Sequence, residues 1–211
     1  MSEKPLLGDR YNNAQLWADD IAAILDRTGL DHAVLVAWSY GGLIASDYVR
    51  AYGTDAVAGI NFVGGTVTLK PPTFDHLGAG LLGNAEDACS SDLKTSSAAI
   101  LRFLRAATAQ PLPQDDWDTT LCANMVVPPE VRRALISREI NNDDVLSTLT
   151  IPVLVTHGRS DDIVLPAMAE HVVAVCKTAQ PSWYDGIGHM PFLEDADRFN
   201  DELADFVASV N

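Results

Sequence analysis

The segment VLVAWSYGG, from Val34 to Gly42, places a serine between a strand pattern and a helix pattern. The run AVLVAW (Ala33–Trp38) is short, continuous, apolar and rich in β-branched residues, which is typical of a strand buried on both faces of a parallel sheet. A helix is predicted to follow it, from about Gly42 to Tyr52. Ser39 therefore stands at a sharp strand-to-helix turn.

A serine at such a turn is a candidate nucleophile. The backbone there is strained and the strand and helix pass close together, so small residues are needed two positions before and two after the serine. Ala37 and Gly41 meet this need, although the usual pattern, G-x-S-x-G, has glycine at both positions. The alternative is that Ser39 only caps the helix.

Strand and helix patterns alternate along much of the chain. Further buried-strand runs are predicted at Ala58–Val63, Pro152–Thr156 and, more weakly, Ser182–Tyr184. Further helices are predicted at Asn13–Thr28, closed by Gly29, at Pro166–Cys176 and at Asp197–Val210. This alternation predicts an α/β fold with a parallel sheet of about four strands and flanking helices.

The regular alternation breaks between Leu69 and Thr150. Helical patterns such as Leu93–Ala107 and Pro129–Glu139 fill this part of the chain, linked by proline-containing segments. We interpret residues 70–150 as a helical cap inserted into the core. Residues 1–69 would form the first part of the core, and residues 151–211 the second part.

Two other loops carry residues that could act with Ser39. In VLVTHGRSDDIVLP, carboxylates directly follow a strand, so Asp161 could reach a histidine on a neighbouring loop, with Asp162 as the lesser option and a turn or capping role as the alternative. In GIGHMPFLEDADRFN, His189 lies between the last strand and the last helix. A near-neutral imidazole there can accept and return the serine proton while the aspartate fixes its tautomer. The chain order Ser, Asp, His supports this set.

The remaining candidates have simpler interpretations. His157 precedes Gly158 at a strand end and is expected to be structural, or a support for the site, rather than a base. Trp38 and Tyr40 flank the serine and line a substrate pocket or pack in the core. No HxxxH motif or carboxylate cluster predicts a metal site. The other histidines are expected on the surface or in the cap: His32, His76 and His171.

Composition limits the partners. The formal net charge is −15 over 211 residues and is spread through the chain, so nucleic acid and anionic membranes are poor candidates. No apolar run is long enough to span a bilayer. Three separated cysteines without CxxC spacing argue against disulfides or zinc, and the start MSEKPLLGDR lacks a secretory signal, so we expect a cytoplasmic protein.

The three segments AWSYGG, HGRSDDIVLP and GIGHMPFLEDADRFN together resemble the α/β-hydrolase superfamily, in its esterase and cofactor-free haloperoxidase-like branch. The resemblance runs from Ser2 to Val210. It implies Ser39 as nucleophile, Asp161 as acid, His189 as base and the backbone N–H of Tyr40 as one oxyanion donor, with no cofactor. The implied activity is hydrolysis of small carboxylic esters or lactones, with perhydrolysis as a side activity.

The front of the chain departs from this resemblance. The segment SEKP (Ser2–Pro5) is similar to the family segment that follows the fourth strand and its glycine-rich loop, yet here it follows Met1. We therefore expect an N-terminally truncated hydrolase whose Ala33–Trp38 strand is an exposed edge, prone to self-association. The alternative is a degenerate hydrolase with little activity that binds a small ligand or partner.

Overall fold

The structure, a computed structural model, describes residues 10–70 and 73–211. The strands in chain order are β1 (Ala33–Trp38), β2 (Val57–Val63), β3 (Thr68–Leu69), β4 (Ile140–Asn141), β5 (Val153–Gly158) and β6 (Ala179–Tyr184). The helices are α1 (Ala14–Thr28), α2 (Gly41–Tyr52), α3 (Ala79–Leu82), α4 (Ala85–Ala88), α5 (Leu93–Ala106), α6 (Gln114–Met125), α7 (Pro129–Ile136), α8 (Asp143–Thr148), α9 (Pro166–Val175), α10 (Pro191–Glu194) and α11 (Ala196–Val210).

Four of the strands form one parallel sheet in the order β1-β2-β5-β6. Strand β2 is buried along its whole length, because it has a strand on each side and helices on both faces. Its Phe62 packs in a core that also contains Val155 of β5 and Met168 of α9. The predicted parallel α/β sheet with flanking helices is confirmed.

Strand β1 is an edge of this sheet, because β2 is its one neighbour among the described strands. Only Ala37 of β1 is buried, while Val36 is 48% and Trp38 is 39% exposed. The prediction that this run is buried on both faces is therefore wrong, since a run's apolar character does not reveal how many neighbours it has. Among the described strands, β1 is at the edge of the sheet, as expected.

The predicted helices occur within a few residues of their expected bounds. Helix α1 begins after Asn13, whose side chain accepts a hydrogen bond from the Gln15 N–H, and ends at Gly29 with φ +65°. Strand β6 begins at Ala179, three residues before the predicted start. It lies at the other sheet edge with Gln180 exposed, so its pattern lacks the continuous apolar run of a central strand.

The segment between β2 and β5 contains α3 to α8 and a small antiparallel pair in which Thr68 lies opposite Asn141. The division into a core (1–69 and 151–211) and a cap (70–150) stays a prediction. The expectation drawn from Ser2–Pro5 lies outside the described residues. In the part of the chain that is described, no helix combines the length and apolar character needed to cross a bilayer.

Candidate active site

Ser39 occupies the turn between β1 and α2 in a strained backbone conformation, with φ +52°. Its N–H donates to the Val63 carbonyl (3.0 Å), and its own carbonyl accepts from the Thr66 N–H (2.9 Å) and the Gly42 N–H (3.0 Å). A non-glycine residue in the left-handed region costs free energy and persists only where its surroundings fix it. Here the end of β2 and the start of α2 hold the turn.

The closest backbone approach at this turn is at Gly42. A β-carbon on Gly42 would lie 2.5 Å from the Thr66 carbonyl oxygen, which backbone cannot accommodate without moving. A β-carbon on Gly41 would lie 4.0 Å from the Ala37 β-carbon, an ordinary contact. Alanine instead of the usual glycine at position 37 therefore fits this packing. The residue of this turn that has no room for a β-carbon is Gly42, which lies outside the G-x-S-x-G motif.

Asp161 and His189 meet beside this turn. The His189 Nδ1–H donates to Asp161 Oδ2 at 2.7 Å, and both side chains are buried. The other oxygen of Asp161, Oδ1, accepts from the N–H groups of Ile163 (2.8 Å) and Val164 (3.0 Å). Because a carboxylate only accepts, the shared hydrogen bond puts the imidazole proton on Nδ1 and leaves Nε2 as the basic atom.

The neighbouring carboxylate lies elsewhere. Asp162 Oδ2 accepts from the Gly80 N–H at 3.1 Å, where α3 begins. Of the two candidates for the acid, the structure thus brings Asp161 to His189 and directs Asp162 toward the segment 70–150.

Gly64, which the sequence analysis did not identify, connects the two halves of the site. It has φ +49°, and a β-carbon there would lie 2.9 Å from His189 Nδ1 and 3.3 Å from Asp161 Oδ2. The preceding residue, Val63, accepts the Ser39 N–H. The serine turn and the Asp–His pair therefore meet across Val63 and Gly64. The signal that could have revealed this is a glycine pair directly after a buried strand.

The second nitrogen of His189 is available for chemistry. His189 Nε2 is buried and has no hydrogen-bond partner within residues 10–70 and 73–211. The Ser39 side chain therefore makes no hydrogen bond to it in this structure. A buried basic nitrogen that is held by Asp161 on its far side can accept a proton from a hydroxyl that rotates toward it.

The backbone of the histidine loop is anchored to the segment after α5. The His189 N–H donates to the Ala107 carbonyl at 2.8 Å. Glu194 accepts from the Gly188 N–H (2.9 Å) and the Ala109 N–H (2.7 Å) with its two carboxylate oxygens. Glu194 lies inside the segment GIGHMPFLEDADRFN, but no motif or spacing in that segment predicts this role.

His157 supports the acid loop. It is buried at the end of β5, and its Nε2–H donates to the Val164 carbonyl at 2.8 Å, with Asp161 Oδ2 at 3.4 Å. Burial lowers the pKa of His157, against the opposing effect of the Asp161 carboxylate. A neutral His157 therefore braces the turn that presents Asp161.

The two aromatic residues beside the serine make different contacts. The Trp38 indole N–H donates to the His189 carbonyl at 2.9 Å, and its ring also packs edge-on against Phe192. The Tyr40 hydroxyl donates to the Leu135 carbonyl at 3.1 Å and accepts from Arg138 at 3.3 Å, and burial raises the pKa of Tyr40. Tyr40 immediately precedes α2, where the first N–H groups have no acceptor within the helix.

Arg138 also holds Asp47 of α2. Its guanidinium donates to both Asp47 oxygens, at 3.0 Å and 2.7 Å, and both side chains are 3% exposed. This buried ion pair joins α2, the helix that follows Ser39, to the end of the segment 70–150. Across residues 10–70 and 73–211, no three His, Cys, Asp or Glu side chains are grouped in a way that could hold a metal ion.

Comparison with known proteins gives the family. The model of the α/β-hydrolase fold family matches residues 2–196. An esterase of known structure from Rhodococcus sp. ECU1013 superposes with a TM-score of 0.92 at 33% identity, covering 99% of this chain and 76% of that chain. A non-heme haloperoxidase from Rhodococcus erythropolis is 27% identical over 207 residues, which are 92% of this chain and 74% of that protein.

A bromoperoxidase from Bacillus anthracis has the same fold, with a TM-score of 0.85 at 20% identity over 98% of this chain and 77% of that chain. The chain belongs to the α/β-hydrolase fold family. The Rhodococcus esterase and the non-heme haloperoxidase confirm the predicted resemblance to the esterase and haloperoxidase-like branch. They also confirm the prediction of an α/β-hydrolase enzyme.

Proposed function

We propose that this chain is a serine hydrolase that acts on small carboxylic esters or lactones through an acyl-enzyme. One observation carries the proposal: the buried Asp161–His189 pair, joined by a 2.7 Å hydrogen bond, packs on Gly64, directly after the residue whose carbonyl accepts the N–H of the strained Ser39. This is the arrangement in which a carboxylate orients an imidazole and the imidazole activates a hydroxyl.

The reaction proceeds in two halves. The Ser39 oxygen attacks the ester carbonyl while His189 Nε2 takes its proton, and the protonated imidazole then gives that proton to the leaving alkoxide. Asp161 keeps Nδ1 protonated and stabilises the imidazolium. Water, deprotonated by His189, next attacks the acyl-serine, and the imidazolium returns that proton to the Ser39 oxygen as the acid is released. The N–H of Tyr40 donates to the tetrahedral oxyanion in both halves.

The substrate class is supported by the relatives and by the nucleophile. The solved structure at 33% identity is that of an esterase, and the relative at 27% identity is a haloperoxidase. A serine at position 39 favours acyl transfer over the dehalogenase and epoxide-hydrolase reactions, which use a carboxylate there. Hydrogen peroxide in place of water would give a peracid, and this perhydrolysis is the proposed side activity.

A fluorophosphonate probe tests the proposal against a non-catalytic hydrolase that only binds a ligand. Reaction with the purified chain should label Ser39, as mapped by peptide mass spectrometry, and His189→Ala should abolish the labelling. His171→Ala is the matched control, because His171 bonds Asp143 rather than the site. An unlabelled wild-type chain would favour the non-catalytic alternative.

The cysteines support a reducing compartment. Cys89, Cys122 and Cys176 are all free, so we propose a cytoplasmic enzyme without disulfides. Loss of activity under reducing conditions but not under oxidising conditions would contradict this assignment.

We further propose that β1 pairs with the β1 of a second copy. The N–H groups of Ala33 and Ser39 both point to β2, so by alternation those of Val34, Val36 and Trp38 point to the other side, where no described strand pairs. The strand carries no charge and no proline to prevent pairing. Antiparallel pairing of two identical edges is self-complementary.

Light scattering across a concentration series tests the pairing. The wild-type chain should self-associate, and Val36→Lys should shift it toward monomer. Leu93→Lys is the control, since Leu93 is 70% exposed on α5, away from this edge. A wild-type chain that stays monomeric throughout the series would contradict the pairing.

A further inference from the structure

Trp38 joins the two catalytic loops. It is the last residue of β1 and directly precedes Ser39, yet its side chain turns to the histidine loop, 151 residues further along the chain. The indole N–H donates to the His189 carbonyl at 2.9 Å. Its ring centroid lies 5.5 Å from that of His189 and 5.1 Å from that of Phe192.

The hydrogen bond from Trp38 is the third that fixes the position of His189. The N–H of His189 is bonded to the Ala107 carbonyl, and its Nδ1 is bonded to Asp161. These two bonds fix one side of the backbone and one atom of the ring. The Trp38 bond fixes the carbonyl, so the histidine backbone is tied at both ends to elements outside its own loop.

We infer that Trp38 is a positioning residue that sets the distance between the Ser39 hydroxyl and His189 Nε2. The inference rests on the proposed serine hydrolase function. Trp38 and Ser39 are adjacent in one strained turn, so a hydrogen bond from Trp38 to His189 ties the base to the nucleophile's own backbone. Catalysis is sensitive to such placement, since a shift of about 1 Å in a reacting group can cost 10²-fold in rate.

Two replacements separate this hydrogen bond from ring packing. Trp38→Phe keeps an aromatic ring but removes the donor. Incorporation of benzothienylalanine at position 38 keeps the full bicyclic shape and replaces the N–H with sulfur. Trp17→Phe is the matched control, because the Trp17 indole N–H also donates to a backbone carbonyl, that of Tyr11, at 2.9 Å in a part-buried setting.

Steady-state hydrolysis of p-nitrophenyl acetate gives the first readout. Both changes at position 38 should lower kcat by about threefold to tenfold, the rate equivalent of one neutral hydrogen bond, with KM unchanged. Trp17→Phe should leave kcat unchanged. If the benzothienylalanine protein has the wild-type kcat, the inference is overturned. Any loss of kcat in Trp38→Phe would then come from changed ring packing and not from the lost hydrogen bond.

NMR of the His189 imidazole gives a readout that needs no turnover. The His189 imidazole signals should shift in the benzothienylalanine variant, which keeps the bicyclic ring whose centroid lies 5.5 Å from the imidazole, and should stay in place in Trp17→Phe. Unchanged signals would overturn the inference whatever the activity. If the wild-type chain fails to hydrolyse the ester while the benzothienylalanine variant shows the shift, the proposed function is contradicted and the positioning of His189 by Trp38 is still supported.

Discussion

Gly64 is in contact with His189: a β-carbon at Gly64 would lie 2.9 Å from Nδ1 and 3.2 Å from Cε1 of the imidazole. The absence of a side chain at this position is what lets the end of β2 pass under the Asp–His pair. A glycine is therefore required at position 64 for two reasons: its φ of +49° suits glycine, and the contact with His189 leaves no room for a side chain.

Gly64→Ala should lower kcat at least tenfold, because the added methyl group displaces the imidazole from Asp161. It should also lower the free energy of unfolding by about 1–2 kcal/mol, since φ is +49°. Gly186→Ala is the control: Gly186 has φ +73° and open space around its missing β-carbon. It should show the stability loss alone, and equal kcat losses in the two variants would refute the steric account.

Asp161→Asn should lower kcat by about 10³- to 10⁴-fold with little change in KM, because an amide favours the wrong imidazole tautomer. Asp162→Asn is the matched control, since Asp162 bonds the Gly80 N–H and does not reach His189. It should retain kcat within about tenfold, the effect of one lost hydrogen bond. Steady-state ester hydrolysis measures both, and a larger loss in the Asp162 variant would reverse the assignment.

Asp47→Ala should destabilise the protein by about 3–5 kcal/mol, because it leaves the buried Arg138 guanidinium without its carboxylate. The double variant with Asp47→Leu and Arg138→Met should recover most of this loss. Arg50→Ala, which breaks an exposed ion pair with Asp144, should cost about 1 kcal/mol or less. Urea unfolding measures all three, and a double variant no better than Asp47→Ala would contradict the argument.

The free energy of unfolding should fall as pH drops below 6.5, and His157 should contribute to that fall. Burial holds the pKa of folded His157 below its usual value of 6.5, so the unfolded chain takes up the proton first. The contribution is at most about 1.4 kcal/mol per pH unit. Urea unfolding between pH 7.5 and 5.5 should therefore show a shallower slope for His157→Gln; parallel slopes would contradict a neutral, buried His157 beside Asp161 and His189.

The sequence predicted the parallel sheet because β2 and β5 are central strands, and central strands are continuous apolar runs. The prediction that β1 is buried on both faces was wrong, because the residues of a strand do not reveal how many strands lie beside it. Ser39, Asp161 and His189 were predicted as candidates because each follows a predicted strand. Their order along the chain, Ser, Asp, His, is also that of the α/β-hydrolases.

Other parts of the site could not be predicted in this way. The contacts of Gly64, Trp38 and Glu194 join segments far apart in the chain, so no local pattern reveals them. The Arg138–Asp47 pair likewise depends on how the segment 70–150 packs against α2.

Intact-mass analysis after rapid acid quenching of the reaction with p-nitrophenyl acetate tests the central claim most directly. The account predicts a transient species one acetyl group heavier, with the acetyl mapped to Ser39, and no such species in Ser39→Ala. Ester turnover with the acetyl on another residue, or turnover that persists in Ser39→Ala, would contradict it.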